Sequence, residues 1–393
     1  MFTRELAKKL KQDAEKYPVI TVTGPRQSGK TTLVRHVFPN HTYCNLEHPE
    51  IRELATVDPK QFFALHDGPV ILDEVQRVPE LLSWVQVRVD ERRIKGEVIL
   101  TGSHQFRLHE AVSQSLAGRT ALHRLLPLSL SEWNLSRPPE SKGFFLHNGL
   151  MPGVHQDGLD PLDAYRNYFQ TYVERDVRLI TEIMNLDLFE RFLKLLAGRI
   201  GQLVNLHSLA GDVGTSSTTL AKWLSVLEAS YIVFRLPPYY RNFGKRVVKT
   251  PKLYFVEPGL AAWLLGIESA DQAERDPLHG ALFENLVVTE LLKSRYNRGR
   301  EANLYFWRDT SGHEVDLLFE QNRNPVPIEI KSAMTWHPEM LESINKFRKK
   351  IPESHPGHLV YAGDLTPETQ GNQLWNFRQC GSILGSNPTN DTH

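Results

Sequence analysis

Short apolar runs alternate with amphipathic segments along the first hundred residues of the chain. Each run has the length and composition of a strand that is buried on both faces of a sheet: residues 19–22, 69–72 and 98–100. The segments between these runs have helical spacing of their apolar positions, at 58–65 and 81–89. Strands that alternate with helices predict a parallel α/β sheet, to which residues 41–46 add a further predicted strand.

Polar residues follow three of these predicted strands. They are the loop after Thr23, the pair Asp73-Glu74, and Thr101 to Ser103. The carboxyl ends of parallel strands meet at one edge of a sheet, where ligands bind in folds of this type. The pattern therefore predicts a single site at this edge.

The loop after the first strand fits the pattern G-x-x-x-x-G-K-S/T and precedes a predicted helix. Its two glycines let backbone N–H groups point inward at phosphate oxygens. We expect Lys30 to reach the β- and γ-phosphates of ATP, and Thr31 to ligate Mg²⁺. The predicted nucleotide-binding residues are Gly24, Pro25, Arg26, Gln27, Ser28, Gly29, Lys30, Thr31, Thr32 and Ser103.

ATP hydrolysis also needs a positioned water, and the two carboxylates after the third strand fit that task. We expect Asp73 to hold Mg²⁺ through water and Glu74 to orient or deprotonate the attacking water. Ser103 is either a contact to the γ-phosphate or that water, or a simple turn residue. Arg119 is a candidate arginine finger, in cis or in trans, with a structural salt bridge as the alternative.

Composition changes after the predicted ATPase region. Proline and glycine crowd together between 137 and 161, which predicts a loop-rich boundary. We predict five parts: a P-loop ATPase domain at 1–150, a helical linker at 151–185, a winged helix at 186–270, a third domain at 271–378, and a disordered tail at 379–393.

The predicted winged helix rests on two helices separated by Gly214 and followed by two strands. Its second helix could enter a major groove of DNA. The basic loop between the strands could grip phosphates through Arg241, Lys245, Arg246, Lys249 and Lys252. The alternative is a winged helix that serves only as a spacer or a dimer surface.

The third domain carries a second set of acidic residues. Glu284 is the carboxylate of an apolar helix, and Asp316 lies on the first strand of a predicted hairpin. Strand alternation puts Glu329 and Lys331 on one face of the second strand. Asp316 and Glu329 are predicted metal ligands for phosphodiester hydrolysis, with Lys331 positioning water or stabilising charge. The alternative is a solvated strand face.

The composition of the 393 residues excludes several classes of protein. Lys+Arg and Asp+Glu both number 46, so no global basic field indicates a nucleic-acid partner. Two cysteines are too few for a disulfide framework or a zinc cluster. The N-terminus lacks a signal-peptide pattern, and the apolar runs are too short to span a membrane. We expect a cytoplasmic protein.

The motifs at 24–32, 70–76 and 100–103 resemble those of the prokaryotic, archaeal-type AAA ATPases. Matching features follow at 126–129, 132–133 and 174–176. The resemblance implies an AAA-like core that binds Mg-ATP, a C-terminal domain, and a homo-oligomer in which a neighbour supplies an arginine. A winged helix stands where a helical lid with a second sensor arginine would be. Glu284, Asp316 and Glu329 to Lys331 resemble the PD-(D/E)XK nuclease superfamily.

The sequence therefore predicts an α/β protein in which a P-loop NTPase, AAA-like parallel sheet is followed by a winged helix and a small α/β nuclease-like domain. The predicted function is an ATPase that couples Mg-ATP hydrolysis to a DNA-binding, metal-dependent nuclease half. The alternative is an ATP-driven regulatory or scaffolding switch whose nuclease-like domain is catalytically silent.

Overall fold

The computed structural model describes residues 2–103, 115–173, 185–240 and 250–385. The chain forms two compact units. The N-terminal unit contains Met1–Leu128, Ala229–Tyr231 and Arg295–Arg300. The C-terminal unit contains Ser129–Glu228, Ile232–Ser294 and Glu301–His393.

A five-stranded parallel sheet forms the centre of the N-terminal unit. Its order is β2-β3-β4-β1-β5, with β1 at Val19–Thr23, β2 at Thr42–Asn45, β3 at Val70–Asp73, β4 at Val98–Gly102 and β5 at Thr120–Arg124. The predicted parallel α/β sheet is confirmed. Sequence analysis missed β5, an edge strand that buries only alternate side chains and therefore lacks a continuous apolar run.

Helices cover both faces of this sheet. They are α1 at Leu6–Ala14, α2 at Lys30–Val37, α3 at Pro49–Val57, α4 at Pro59–Leu65 and α5 at Leu81–Arg92. On one face Leu33 and Val34 pack with Ile20 and Ile99, whereas the other face carries a separate cluster that includes Leu72. Burial on both faces explains the continuous apolar runs of the strands.

The C-terminal unit begins with short helices: α6 at Leu130–Asn134, α7 at Lys142–Asn148, α8 at Pro152–Gln156 and α9 at Pro161–Tyr168. Ser129 and Glu132 form a capping box that starts α6. A π-helix at Phe169–Val173 continues α9. The 174–176 motif lies outside the described residues.

Three helices and a two-stranded sheet follow in the order expected for a winged helix. They are α10 at Leu186–Ala197, α11 at Leu206–Val213, α12 at Ser217–Ala229, β6 at Val233–Leu236 and β7 at Lys252–Phe255. Gly214 ends α11 in a left-handed conformation, with φ +87°. Strands β6 and β7 are antiparallel. The basic residues from Arg241 to Lys249 lie outside the described residues.

The remaining helices of this unit are α13 at Pro258–Leu264, α14 at Ala270–Arg275, α15 at His279–Asn297 and α16 at Glu342–Lys350. A six-stranded sheet has the order β12-β13-β11-β10-β9-β8, with β8 at Leu304–Arg308, β9 at Glu314–Gln321, β10 at Asn324–Lys331, β11 at His358–Tyr361, β12 at Glu368–Thr369 and β13 at Asn372–Asn376. Strands β9 and β10 form the predicted antiparallel hairpin.

The predicted disordered tail, 379–393, begins too early. A 3₁₀ helix occupies Phe377–Leu384 and buries Cys380, Ile383 and Leu384. These apolar residues recur at helical spacing, so they pack against the unit despite the surrounding glycine and serine. Residues 386–393 of the predicted tail lie outside the described part of the chain.

Candidate functional sites

The loop between β1 and α2, called the P-loop here, needs glycine at its first position. Gly24 has φ +153°, and a Cβ at this residue would lie 2.0 Å from the carbonyl oxygen of Leu125. Gly29 has φ +88° and directly precedes α2. Gln27 is also left-handed, with φ +61°. The loop therefore curls tightly at the carboxyl end of β1 and leads into the helix N-terminus, which favours an anion.

Lys30 lies buried inside the P-loop. Its Nζ donates hydrogen bonds to the carbonyl oxygens of Gly24, at 3.1 Å, and Pro25, at 2.8 Å. Burial lowers the pKa of Lys30 to about 8, although the charges of Glu74 and Asp73 act in the opposite direction. The ammonium is thus held by neutral acceptors that a phosphate oxygen could replace.

Asp73 ends β3 and collects three hydroxyl donors. Oδ2 accepts hydrogen bonds from Thr31 Oγ1, at 2.9 Å, and from Tyr43 Oη, at 2.6 Å. Oδ1 accepts a hydrogen bond from Thr101 Oγ1. Burial and the adjacent Asp73 raise the pKa of Tyr43, which keeps its phenol protonated as a donor. The two side chains predicted to hold Mg²⁺, Thr31 and Asp73, are therefore in contact.

Glu74 stands directly after β3 in a left-handed conformation, with φ +57°. Its Oε2 accepts a hydrogen bond from Ser103 Oγ at 3.0 Å and another from Gln76 Nε2. Gln76 also donates to Ser103 Oγ at 3.2 Å, which closes a triangle. A non-glycine residue held at positive φ at a strand end is a recurrent feature of functional sites. Sequence analysis assigned no role to Gln76.

Two long-range contacts stabilise the P-loop region. Sequence analysis predicted neither of them. Arg4 is buried and donates to the carbonyl oxygens of Ser28 and Leu126, both at 2.7 Å. Thr23, the last residue of β1, makes a hydrogen bond of 2.8 Å to the hydroxyl of Tyr231. Neither partner is near the loop in sequence, so no local pattern could have indicated it.

The other predicted nucleotide-binding residues differ in their surroundings. Ser28 Oγ is buried and lacks a hydrogen-bond partner among the described residues. A ligand oxygen would satisfy this hydroxyl, so the P-loop fits a phosphate group. Arg26 lies 3.7 Å from Glu47, and Thr32 is exposed on the first turn of α2.

Arg119 lies at the opposite edge of the sheet from the P-loop. It precedes β5, and its carbonyl oxygen accepts a hydrogen bond of 3.2 Å from Val19 at the start of β1. Its guanidinium pairs with Asp90 at 2.6 Å. Because β1 and β5 run parallel, the whole length of β1 separates Arg119 from the loop. The structure therefore places Arg119 far from the P-loop of its own chain, where it pairs with Asp90.

The C-terminal unit gathers a second set of charged groups, called the carboxylate cluster here and defined as Glu284, Glu314, Asp316 and Glu329. On β10, Lys331 Nζ lies 2.6 Å from Glu329 Oε1 and 3.9 Å from Asp316 Oδ2. The backbone N–H of Ile330 donates to Asp316 Oδ2 at 2.8 Å. The hairpin therefore brings Asp316, Glu329 and Lys331 together as predicted.

Glu284 joins this cluster from α15. Its Oε1 accepts a hydrogen bond from Tyr254 Oη at 2.6 Å and one from Lys252 Nζ at 3.2 Å. Lys252 also lies 2.5 Å from Glu314 Oε1. Only 4% of the Lys252 side chain is exposed, so it cannot grip DNA phosphates as the sequence interpretation expected. Its place in a basic stretch of sequence was misleading.

Burial and mutual repulsion control the titration of the cluster. Burial, reinforced by Asp316, raises the pKa of Glu284 to about 7 and the pKa of Glu329 to about 8. Glu329 Oε2 is buried without a hydrogen-bond partner among the described residues. Within the same residues, no group of three or more His, Cys, Asp or Glu side chains is arranged to hold a metal ion. Lysines stand among the carboxylates instead.

The parallel sheet, the P-loop and the Asp73-Glu74 pair define the N-terminal unit as a P-loop ATPase domain of the AAA class. The AAA domain family matches residues 16–134. Two families described as domains of unknown function match further along the chain, DUF8612 at 144–271 and DUF4143 at 279–380.

This chain belongs to the family of the uncharacterized protein Rv2008c of Mycobacterium tuberculosis. The two are 31% identical over 335 residues, which cover 84% of this chain and 74% of the relative. The uncharacterized protein MJ1637 of Methanocaldococcus jannaschii is 26% identical, over 86% of this chain and 82% of that protein.

The solved structures that this chain matches include a Walker-type ATPase of Pyrococcus abyssi. It has a TM-score of 0.44 and 16% identity, and the match covers 67% of this chain and 96% of that one. AMPPCP-bound DnaA from Aquifex aeolicus has a TM-score of 0.30 and 14% identity, over 57% of this chain and 86% of that one. In the part of the chain that the structure describes, no helix could cross a membrane.

Proposed function

We propose that the N-terminal unit hydrolyses Mg-ATP at the carboxyl edge of its sheet. The observation that supports this most strongly is the set of contacts that joins Thr31 to Asp73 and Ser103 to Glu74. These contacts bring together residues from the P-loop, β3 and β4, which are far apart in sequence. A phosphate-binding loop alone would need no such arrangement of carboxylates.

Each residue has a separate role in the proposed reaction. Lys30 binds the β- and γ-phosphates and compensates charge that develops during transfer. Thr31 and Asp73 would hold Mg²⁺, which supplies charge neutralisation at the phosphates when it is bound. Glu74 orients or deprotonates the attacking water, and Ser103 with Gln76 keeps its carboxylate in one position.

The ATPase proposal is tested with two variants that separate binding from hydrolysis. Lys30→Ala should abolish turnover and weaken nucleotide binding. Glu74→Gln should bind ATP as the wild type does and lose about 10²–10⁴-fold in kcat. Lys60→Ala and Glu53→Gln, which change exposed helical residues of the same unit, are matched controls. Full activity of the Lys30→Ala protein would refute the proposal.

For the C-terminal unit we propose metal-dependent hydrolysis of DNA phosphodiesters at the carboxylate cluster. The partnerless Glu329 Oε2 carries this proposal, because a hard divalent cation would satisfy it. Asp316 and Glu329 would be its ligands, with Glu284 as a third acid and Lys331 positioning the water. The cation would polarise the phosphate and lower the pKa of that water.

Cleavage of a supercoiled plasmid in Mg²⁺ or Mn²⁺ tests the nuclease proposal. Glu329→Ala and Lys331→Ala should both remove cleavage, whereas Glu342→Ala and Lys349→Ala, on the exposed side of α16, should retain it. Cleavage that survives both site variants would come from a contaminant or another site. A comparison with Lys30→Ala shows whether ATP controls access to the nuclease site.

The competing function is an ATP-driven regulatory or scaffolding switch with a silent nuclease-like domain. The ion pairs of Lys252 with Glu284 and Glu314 favour this reading, because they neutralise the cluster without a metal. A wild type that hydrolyses ATP and never cleaves plasmid, with any divalent cation, would support the switch.

We also propose that the module from α10 to β7 binds DNA as a winged helix. Helix α12 would enter the groove, and its exposed Lys222 would contact a phosphate. Lys222→Glu should weaken binding of a fluorescent duplex, measured by anisotropy at fixed salt. Lys194→Glu, on α10, is the charge-matched control. Equal binding by wild type and Lys222→Glu would contradict this role for α12.

We also propose a homo-oligomer in which Arg119 contacts the nucleotide of a neighbouring chain, because Arg119 lies far from the P-loop of its own chain. Mass photometry with and without ATP measures the subunit number. Arg119→Ala should lower ATP turnover in the assembled state without changing the low turnover of dilute monomers. Equal turnover of variant and wild type at every concentration would show that Arg119 only pairs with Asp90.

A further inference from the structure

The carboxylate cluster contains a buried lysine that the proposed hydrolysis does not use. Lys252 begins β7, one of the two strands of the small sheet in the module from α10 to β7, yet its ammonium lies among acids from other elements. It reaches Glu284 of α15 at 3.2 Å and Glu314 of β9 at 2.5 Å. The remaining acids, Asp316 and Glu329, lie 3.9 Å and 2.6 Å from the ammonium of Lys331 instead.

Burying an ammonium group is costly unless charges of opposite sign surround it. Lys252 is 3% exposed, and its Nζ lies 5.6 Å from the centre of the Phe306 ring, on an apolar side of the site. Its ion pairs with Glu284 and Glu314 supply these opposite charges. The ammonium is therefore paired with two carboxylates inside the cluster.

A separate observation indicates that this cluster could bind a cation. Glu329 is 3% exposed, and its Oε2 lacks a hydrogen-bond partner among the described residues. Its other oxygen, Oε1, binds Lys331. The cluster thus has one carboxylate oxygen that is dehydrated and unsatisfied, beside Asp316, in a site where Lys252 already holds two further acids.

We propose that Lys252 is a built-in counter-cation of the carboxylate cluster and competes with a divalent metal ion for it. This inference rests on the proposed metal site of the C-terminal unit and adds a residue that controls its occupancy. A hard cation bound by Asp316 and Glu329 would also attract Glu284, which Lys252 and Tyr254 now hold through Oε1. A bound cation and Lys252 would therefore compete for the negative charge of Glu284.

Lys331 is not equivalent to Lys252 in this respect. The side chain of Lys331 is 38% exposed at the end of β10, so it can swing into solvent at little cost. Lys252 is 3% exposed, so moving its ammonium away from the acids costs more than moving that of Lys331.

Manganese binding to the full chain tests this inference directly, with free Mn²⁺ counted by electron paramagnetic resonance and no nucleotide present. Lys252→Met should bind Mn²⁺ at least roughly tenfold more tightly than the wild type, because a nearby positive charge has been removed. Lys349→Met, which removes an exposed lysine of α16, should bind as the wild type does. Asp316→Asn added to Lys252→Met should abolish the gain, which locates the site.

Circular dichroism establishes that each variant is folded. If Lys252→Met unfolds, Lys252→Met with Glu314→Gln restores the charge balance and carries the same expectation. Mn²⁺ affinity that is unchanged or lower in the folded variant would overturn the inference, as would a gain that survives Asp316→Asn.

A plasmid-cleavage assay tests the nuclease proposal separately from the counter-cation proposal. If Lys252→Met binds Mn²⁺ more tightly but neither the wild type nor any variant cleaves plasmid, the counter-cation proposal is supported and the nuclease proposal is refuted. Cleavage by the wild type with no gain in Mn²⁺ affinity for Lys252→Met supports the nuclease and refutes the counter-cation.

Discussion

The P-loop site and the carboxylate cluster both bury a lysine, but they do so in opposite electrostatic settings. Lys30 donates to carbonyl oxygens, and burial lowers its pKa to about 8. Lys252 contacts carboxylates, which raise its pKa despite similar burial. The first arrangement keeps a cation poorly compensated, and the second neutralises a cation completely.

This difference indicates the charge of the ligand that each site can accept. A poorly compensated lysine beside the orphan Ser28 hydroxyl favours an anion such as a phosphate chain. In the cluster the unsatisfied group is a carboxylate oxygen of Glu329, which favours a cation. The partners of a buried lysine, rather than its presence, thus distinguish a site that favours an anion from one that favours a cation.

A large loss of ATPase activity is expected from removing the charge of Asp73. Asp73→Asn preserves the shape of the side chain but weakens the hold on Mg²⁺, so kcat for ATP hydrolysis should fall at least roughly 100-fold. Steady-state phosphate release measures the loss. Asp58→Asn, at the exposed start of α4, is the matched control. An Asp73→Asn enzyme with wild-type kcat would show that the acid is structural.

A smaller loss is expected when the orientation of Glu74 is disturbed. Gln76→Ala removes one donor to the Glu74 carboxylate and should lower kcat about tenfold, with KM for ATP unchanged. Gln61→Ala on α4 removes an exposed glutamine and should change neither constant. A rise in KM with unchanged kcat would place Gln76 in substrate binding instead.

The repulsion between the acids of the carboxylate cluster should make the stability of the folded protein depend on pH. The folded-state pKa of Glu329, about 8, lies above its unfolded value. At pH values between these two pKa values, the folded protein therefore binds more protons than the unfolded protein does. Stability should therefore decrease as the pH rises from about 5 to 8. Glu329→Gln removes this loss and should raise Tm by a few degrees at pH 8 and less at pH 5.

Thermal melts in EDTA measure this effect without bound metal. Glu342→Gln, an exposed acid of α16, should leave Tm unchanged at both pH values. An equal change of Tm at pH 5 and pH 8 for Glu329→Gln would mean that packing, and not charge, is responsible.

The sequence was sufficient for the parts of the ATP site that depend on local spacing. Gly24, Lys30, Asp73 and Glu74 stand at fixed positions relative to apolar strands, and the family match confirms an AAA domain there. The parallel sheet was predictable for the same reason, since buried strands require continuous apolar runs. The edge strand β5 buries only alternate side chains, so no continuous apolar run predicts it.

Tertiary contacts were beyond the reach of the sequence. Arg4 and Tyr231 reach the P-loop region from 24 and 208 residues away, and no periodicity links them to it. Lys252 was assigned to a basic DNA-binding loop because its neighbours in sequence are basic, whereas its neighbours in space are acidic. Arg119 was plausible by residue type alone, and only the direction of β5 placed it away from the P-loop.

The smallest effect concerns the contact between Thr23 and Tyr231. Thr23 Oγ1 lies 3.3 Å from the carbonyl oxygen of His123, to which it donates, so the Tyr231 hydroxyl is the donor to Thr23. Tyr231→Phe removes a buried hydrogen bond next to Gly24 and should cost about 1 kcal/mol of stability. A slight displacement of the P-loop should raise KM for ATP about twofold to fivefold.

Thr23→Val removes the same bond from the other side, together with the hydrogen bond from Thr23 to the carbonyl oxygen of His123. The double variant should lose less than the sum of the two single losses, because both single variants remove the shared bond. Additive losses in stability and in KM would instead mean that each hydroxyl acts through a different neighbour. In that case the bond between Thr23 and Tyr231 would not help to position the P-loop, and the nucleotide site would depend on Arg4 for its long-range support.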